Sequence, residues 1–139
     1  MPPTVLKIVT ACLFNDDGRL LVVRKRGTRF FMLPGGKIEP EETSLQALRR
    51  ELHEELDLRM EESQLQSLGH FQARAANEPD HWVEADVFVG HLASDVKVQA
   101  EIEVLDWLEL HARQLEHVAP LLREQVLPVL RERLTAITR

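Results

Sequence analysis

Apolar residues crowd the first quarter of the chain in two runs. Residues 5–14 (VLKIVTACLF) are almost continuously apolar or β-branched, which predicts a strand buried on both faces. Asn15-Asp16-Asp17-Gly18 predicts a turn, and residues 19–26 the returning strand, with Leu20, Leu21, Val22 and Val23 in the core. Phe30-Phe31-Met32-Leu33 leads into Pro34-Gly35-Gly36, read as a second turn. The period then changes. Leu45, Leu48, Leu52 and Leu56 recur at steps of three and four, one stripe of a helix, with Ala47 beside it. Thr43 or Ser44 is placed to cap that helix, which should end near Leu58.

Beyond it the pattern predicts a polar loop at 61–64 and strands at 65–75 and 82–92, with a turn at 76–80. Alternation in the later strand puts Val83, Ala85, Val87 and Val89 on one face. Residues 93–100 read as a polar connection with two or three residues of strand character, 101–108 as a last strand, and 110–115 as a helical turn. A second helix is predicted over 118–137, with Leu121, Leu122, Val126, Val129, Leu130 and Leu134 toward the sheet. Pro128 lacks an amide donor, so a kink or break is expected at Leu127.

At 139 residues the chain suits one domain, 1–139, with one core. The formal charge of −6 weighs against a nucleic-acid polymer as partner, but not against a small phosphorylated molecule. No apolar run is long enough to span a membrane, and MPPTVLKIVT lacks the features of a signal peptide. With Cys12 the single cysteine, a reduced, cytoplasmic setting is expected.

Candidate chemistry gathers on the first helix. Glu51, Glu54 and Glu55 lie within one turn of one another. Three carboxylates that close repel unless positive charge sits among them. Arg49 and Arg50 supply part of it, and a hard divalent cation bound by oxygen would supply the rest, Mg²⁺ or Mn²⁺ in its place. By itself such a run is more often a solvated helix face. The glycines just before it change the reading.

From Gly36 the spacing runs five residues to Glu42, then seven to Arg50-Glu51-Leu52-x-Glu54-Glu55. This resembles the Nudix box, G-x5-E-x7-R-E-U-x-E-E-x-G-U with U apolar. One fixed position departs: Asp57 stands where the family has its second glycine, and Asp tolerates the left-handed geometry that ends a helix there. The resemblance implies an α/β fold, an α/β/α sandwich with a mixed sheet between helices. It also implies hydrolysis of a nucleoside diphosphate linked to another group. Glu51, Glu54, Glu55 and the Gly36 carbonyl would be metal ligands. Glu54 or Glu55 would be the general base, Arg50 and Glu42 would orient the cluster, and Gly35 and Asp57 would shape the box.

Some family members place the base on a later loop. Glu101 is the better candidate here, ahead of Glu103, with Glu78 and Glu84 weaker. Substrate contacts are expected from Trp107, by stacking, and from the basic loop Lys25, Arg26 and Arg29, with Trp82 an alternative pocket residue. The absence of tyrosine, Arg74 in place of a proline after the box, and Cys12 outside any catalytic motif count against several other branches. The run GGKIEP resembles the MutT-like branch, which acts on nucleoside triphosphates, oxidised ones included. Three rivals follow: a nucleotide-sensing domain without turnover, an RNA 5′-end pyrophosphohydrolase, and a hydrolase of nucleotide sugars or ADP-ribose. Homodimers occur in the family, although nothing in this sequence specifies an interface.

Overall fold

The computed structural model describes residues 4–76 and 78–137, without the side chains of 134–137. The first apolar run forms β1 (Thr4–Phe14), which pairs in parallel along its whole length with β5 (His81–His91), from Thr4 opposite His81 to Phe14 opposite His91. Outside β5 lies antiparallel β4 (Gln66–Arg74). On the other side β1 meets β2 (Leu20–Lys25) only at Phe14 opposite Leu20, and β2 continues to antiparallel β6 (Ile102–Leu108). The order is therefore β4-β5-β1-β2-β6, a mixed sheet, as the sequence implied. Asn15 makes the β1–β2 turn: its Oδ1 accepts from the Asp17 and Arg19 amides, and Gly18 takes φ 76°.

Each central strand buries both faces. Val9, Ala11 and Leu13 of β1 and Leu21 and Val23 of β2 pack under α1 (Ser44–Leu56) against Ala47, Leu48, Leu52 and Leu56. Cys12, Leu20 and Val22 face the other way, toward Leu121, Leu122, Val126, Leu127 and Leu130 near the C-terminus. Double burial is why these strands show no polar alternation. Burying each leucine is worth about 2 kcal/mol.

α1 begins as expected. Thr43 is the N-cap, accepting from the Gln46 amide while the Gln46 side chain accepts from the Thr43 amide. It ends at Asp57 in the left-handed conformation, φ 52° and ψ 37°, whose amide returns to the His53 carbonyl.

Four local expectations need correction. Gly35 and Gly36 do not form a turn: Gly35–Lys37 is a short strand, β3, antiparallel to β1, with Gly36 opposite Val9. The pairing partner is distant in sequence, so no local signal announces it. Residues 93–100 form no strand. The loop instead donates the Lys97 and Gln99 amides to the Leu56 and Glu55 carbonyls, satisfying acceptors left open at the end of α1. Residues 110–115 hold one hydrogen-bonded turn, Ala112 amide to Glu109 carbonyl, and no helix. Finally, the irregularity expected at Leu127 is present, but as a change of helical winding and not as a break. A π-helical segment, Leu121–Val126, precedes α2 (Leu127–Ile137), and the Leu127 amide reaches the Leu122 carbonyl five residues back. The wider turn moves backbone away from the proline ring. The Leu134 side chain lies outside the described residues.

Because β1 and β2 touch only at one end, the sheet opens at the other. The segment from Phe31 to Lys37 spans this opening: Met32 pairs with Val23 of β2, then β3 pairs with β1. Phe31 also exchanges backbone bonds with His117 and Ala119, holding the start of the C-terminal helical segment against the gap.

Candidate active site

The opening is a cleft of about 670 Å³. Its acidic part is formed by Gly35, Gly36, Lys25, Glu51, Glu54, Glu55 and Glu101; Leu6, Ile8, Thr10, Leu33, Val83, Leu121 and Leu122 also line it, together with Arg74 and Glu78.

At the acidic end α1 meets β3. The Glu51 carboxylate lies directly over the Gly36 α-carbon, so close that an added β-carbon would fall 2.5–2.7 Å from its atoms. Glycine leaves the space that the carboxylate fills. Glu55 is 5% exposed, and its Oε1 faces the Gly35 amide at 3.4 Å. Burial pushes its carboxyl pKa up to about 8; nearby Lys25 pulls the other way, while a hydrogen bond shared with Glu51 adds to the rise. Glu54, half exposed, projects into the cleft.

Arg50 organises this end. Its guanidinium donates to both Glu42 oxygens at 2.8 and 2.9 Å, to Glu51 at 3.0 Å and to the Lys37 carbonyl at 3.1 Å, and lies 3.5 Å from Glu54. The Arg50 bond, helped by the Glu39 amide, lowers the Glu42 pKa to about 2. Glu101 reaches the cleft because the loop before β6 is tied to α1 and because Ala100 turns the chain at φ 53°.

The donor set suits a divalent cation. Carboxylates and a backbone carbonyl are hard oxygen ligands, and the glycine leaves the Glu51 carboxylate lying against the backbone that carries this carbonyl. Among the described residues no three acidic or His side chains converge on one point. Arg50 occupies Glu51, and Glu51 and Glu55 share a hydrogen bond.

Of the residues expected from sequence, the cleft brings together Gly35, Gly36, Glu51, Glu54, Glu55 and Glu101, with Lys25 and Glu78 also lining it. Arg50 and Glu42 stand immediately behind. Three expected substrate contacts are elsewhere. Trp107 sits opposite Leu21 on the α1 side of the sheet and packs into that core, as strand register dictates. Arg29 lies over the Phe30 ring, 5.1 Å from its centroid, and exposed Arg26 gives only its backbone amide, to the Glu101 carbonyl. Trp82 is exposed beside Val5 and Gln72, Glu84 bonds Gln72, and Glu103 pairs with Arg24 at 2.7 Å. Sequence reading passed over Leu6, Ile8 and Thr10. Their signal was alternation: they share the face of β1 opposite Val9 and Ala11.

A helix-flanked mixed sheet, opened at one end onto glutamates from a capped helix and a glycine strand, defines an α/β/α sandwich with an acidic cleft. The family model described as NUDIX domain matches residues 6–130, and the chain belongs to that family. Its members are pyrophosphohydrolases and generally use divalent metal ions.

A MutT protein structure from Methanosarcina mazei Go1 aligns with TM-score 0.76 and 24% identity, over 96% of this chain and 98% of that one. That likeness is one of fold. An RNA pyrophosphohydrolase from Halorhodospira halophila is 50% identical over 44 residues, 32% of this chain and 24% of the relative. A MutT-like protein from Streptomyces ambofaciens is 36% identical over 64 residues, 46% and 42% of the two chains. The matches thus span less than half the length of these curated relatives. Among the described residues no helix is long and apolar enough to cross a membrane.

Proposed function

We propose that this protein is a divalent-metal-dependent hydrolase that cleaves the diphosphate of a small nucleotide, a nucleoside triphosphate giving monophosphate and pyrophosphate. One observation carries the reading: the Glu51 carboxylate is seated on Gly36 while Glu54 and Glu55 enter the same cleft. Glu51, Glu54, Glu55 and the Gly36 carbonyl would hold Mg²⁺, with Mn²⁺ as a substitute. The ion, when bound, neutralises charge on phosphoryl oxygens.

The protein's own groups supply the rest. Water attacks one phosphorus, the bridging P–O bond breaks, and the water's proton passes to a carboxylate. Glu54 is the first candidate for that acceptor because it is exposed within the cleft. Glu101, which lines the same cleft, is the second. Arg50 holds Glu42, Glu51 and Glu54 in register and acts by positioning. Lys25, close enough to Glu55 to act on its charge, would meet a phosphate.

The test is incubation with Mg²⁺ and separate panels of normal and oxidised nucleoside triphosphates, nucleotide sugars, ADP-ribose, dinucleoside polyphosphates and triphosphorylated RNA. Products are identified by mass, with Glu54→Gln and Glu101→Gln beside the wild type. Cleavage of nucleoside triphosphates, reduced at least a hundredfold in one variant, is the expected result. Intact panels with thermal stabilisation by one ligand would replace this reading with that of a sensing domain.

A further inference from the structure

We infer that Ala100 is a positioning residue for the hydrolysis: it holds a backbone conformation unfavourable to alanine, and that conformation aims Glu101 into the cleft. The inference rests on the reaction proposed above and adds a residue that acts on it through Glu101. Ala100 has φ 53°, a left-handed geometry in which a β-carbon crowds the following carbonyl oxygen. Asp57 and Asp80 are left-handed too, but their short polar side chains suit that geometry through local hydrogen bonds. Alanine has no such compensation. Ala100 and Glu101 both line the cleft.

The chain is fixed on both sides of this residue. Before it, the Lys97 and Gln99 amides donate to the Leu56 and Glu55 carbonyls at 3.0 and 2.9 Å, tying the loop to the last turn of the helix that carries Glu51 and Glu54. After it, the Glu101 carbonyl accepts from the Arg26 amide at 2.7 Å, and the Ile102 amide donates to the Gln99 carbonyl at 3.2 Å. The change of direction between these anchors falls to Ala100. β6 is also irregular at its start. Lys25 lies opposite Ile102 but Arg24 opposite Val104, so Glu103 is an extra residue on that strand. In a regular strand residues 101 and 103 would share a face. The bulge instead sends Glu103 to Arg24, at 2.7 Å, and leaves Glu101 in the cleft.

This geometry separates alanine from glycine. Glycine at position 100 relieves the crowding, and for folding alone it is the better residue at this φ. It also opens backbone conformations of either sign of φ, so the anchors no longer determine where the Glu101 carboxylate points. Strain of this kind, beside a reacting group, is a form of pre-organisation. Stability and turnover therefore respond to one substitution in opposite directions.

The test compares wild type, Ala100→Gly, Ala100→Asn, Glu101→Gln and the double variant carrying Ala100→Gly with Glu101→Gln. Each is assayed with Mg²⁺ on the nucleotide that wild type cleaves fastest, with kcat and KM separated. Thermal midpoints and amide exchange at Arg26 and Ile102 are measured on the free proteins. Ala100→Gly is expected to keep a midpoint at or above that of wild type, to exchange both amides faster, and to lose about tenfold in kcat with KM little changed. Ala100→Asn loses less, because asparagine accepts the left-handed region. In the Glu101→Gln background Ala100→Gly adds no further loss, as expected of two residues acting as a unit.

Wild-type kcat in Ala100→Gly overturns the inference, as does a loss of the same size with and without the Glu101 carboxylate. Unchanged amide exchange or a lowered midpoint in Ala100→Gly also overturns it, because the aim would then not depend on this φ, or glycine would act through the fold. Glu101→Gln at the wild-type rate overturns it too and leaves Glu54 as the proton acceptor. A wild type that cleaves no nucleotide removes the proposed reaction, and this inference with it.

Discussion

Gly35 and Gly36 are neighbours in the chain, and one methyl group on each separates folding from chemistry. At Gly35 the φ angle is 146°, and an added β-carbon would lie 2.0 Å from the Val9 carbonyl oxygen and 2.8 Å from the Thr10 α-carbon. Both obstacles are backbone in the middle of the sheet and cannot move alone. Backbone strain of about 1–3 kcal/mol, with about two β1–β3 hydrogen bonds disrupted at about 1 kcal/mol each, gives about 3–5 kcal/mol for Gly35→Ala. For a chain of this size that corresponds to about 10–20 °C in thermal midpoint.

At Gly36 the φ is ordinary, and the three atoms nearest the added β-carbon all belong to the Glu51 carboxylate, the far end of a flexible side chain. The reduced freedom of the unfolded chain offsets that displacement, and stability changes by less than about 1 kcal/mol. Glu51, however, is pushed off the backbone and away from Arg50. Urea titrations read the first effect. Mg²⁺-dependent hydrolysis per folded molecule reads the second, with a loss of at least about tenfold expected for Gly36→Ala. Wild-type stability for Gly35→Ala, or full activity for Gly36→Ala, would refute the reasoning.

Three further outcomes follow from the site and its helix. Glu55 has its pKa raised from 4.5 to about 8, so the folded state binds the extra proton between those values, and stability falls as pH rises across that window. Glu55→Gln should abolish that slope in urea midpoints measured with chelator, and should be more stable than wild type at pH 8. Arg50→Lys loses the paired contact to Glu42; a stability change of about 1 kcal/mol or less with a much larger fall in kcat is expected from unfolding and kinetic measurements. Asp57→Gly relieves a left-handed residue at the end of α1 and should stabilise by about 1 kcal/mol, seen as a higher thermal midpoint; no change would mean the cap is unstrained.

The extent to which this molecule was legible in its sequence follows the range of the forces involved. The helix from Ser44 to Leu56, its Thr43 cap and its left-handed end at Asp57 are local features, repeated within a few residues, and could be read directly. So could the doubly buried strands, because burial on both faces removes every polar alternation. The spacing from Gly36 through Glu55 carried the acidic end of the cleft, since a helix brings residues three and four apart to one face whatever surrounds it.

Only the tertiary structure could decide the rest. Whether Gly35–Lys37 was turn or strand depended on β1 offering it an edge. Trp107 faced α1 because register with Leu21 assigned it that side, although its own surroundings in sequence suited either face. Pro128 was absorbed by a wider helical turn that five-residue hydrogen bonding made available. Thr10 gave least away: that its hydroxyl is buried without a partner is decided only once distant segments have packed around β1.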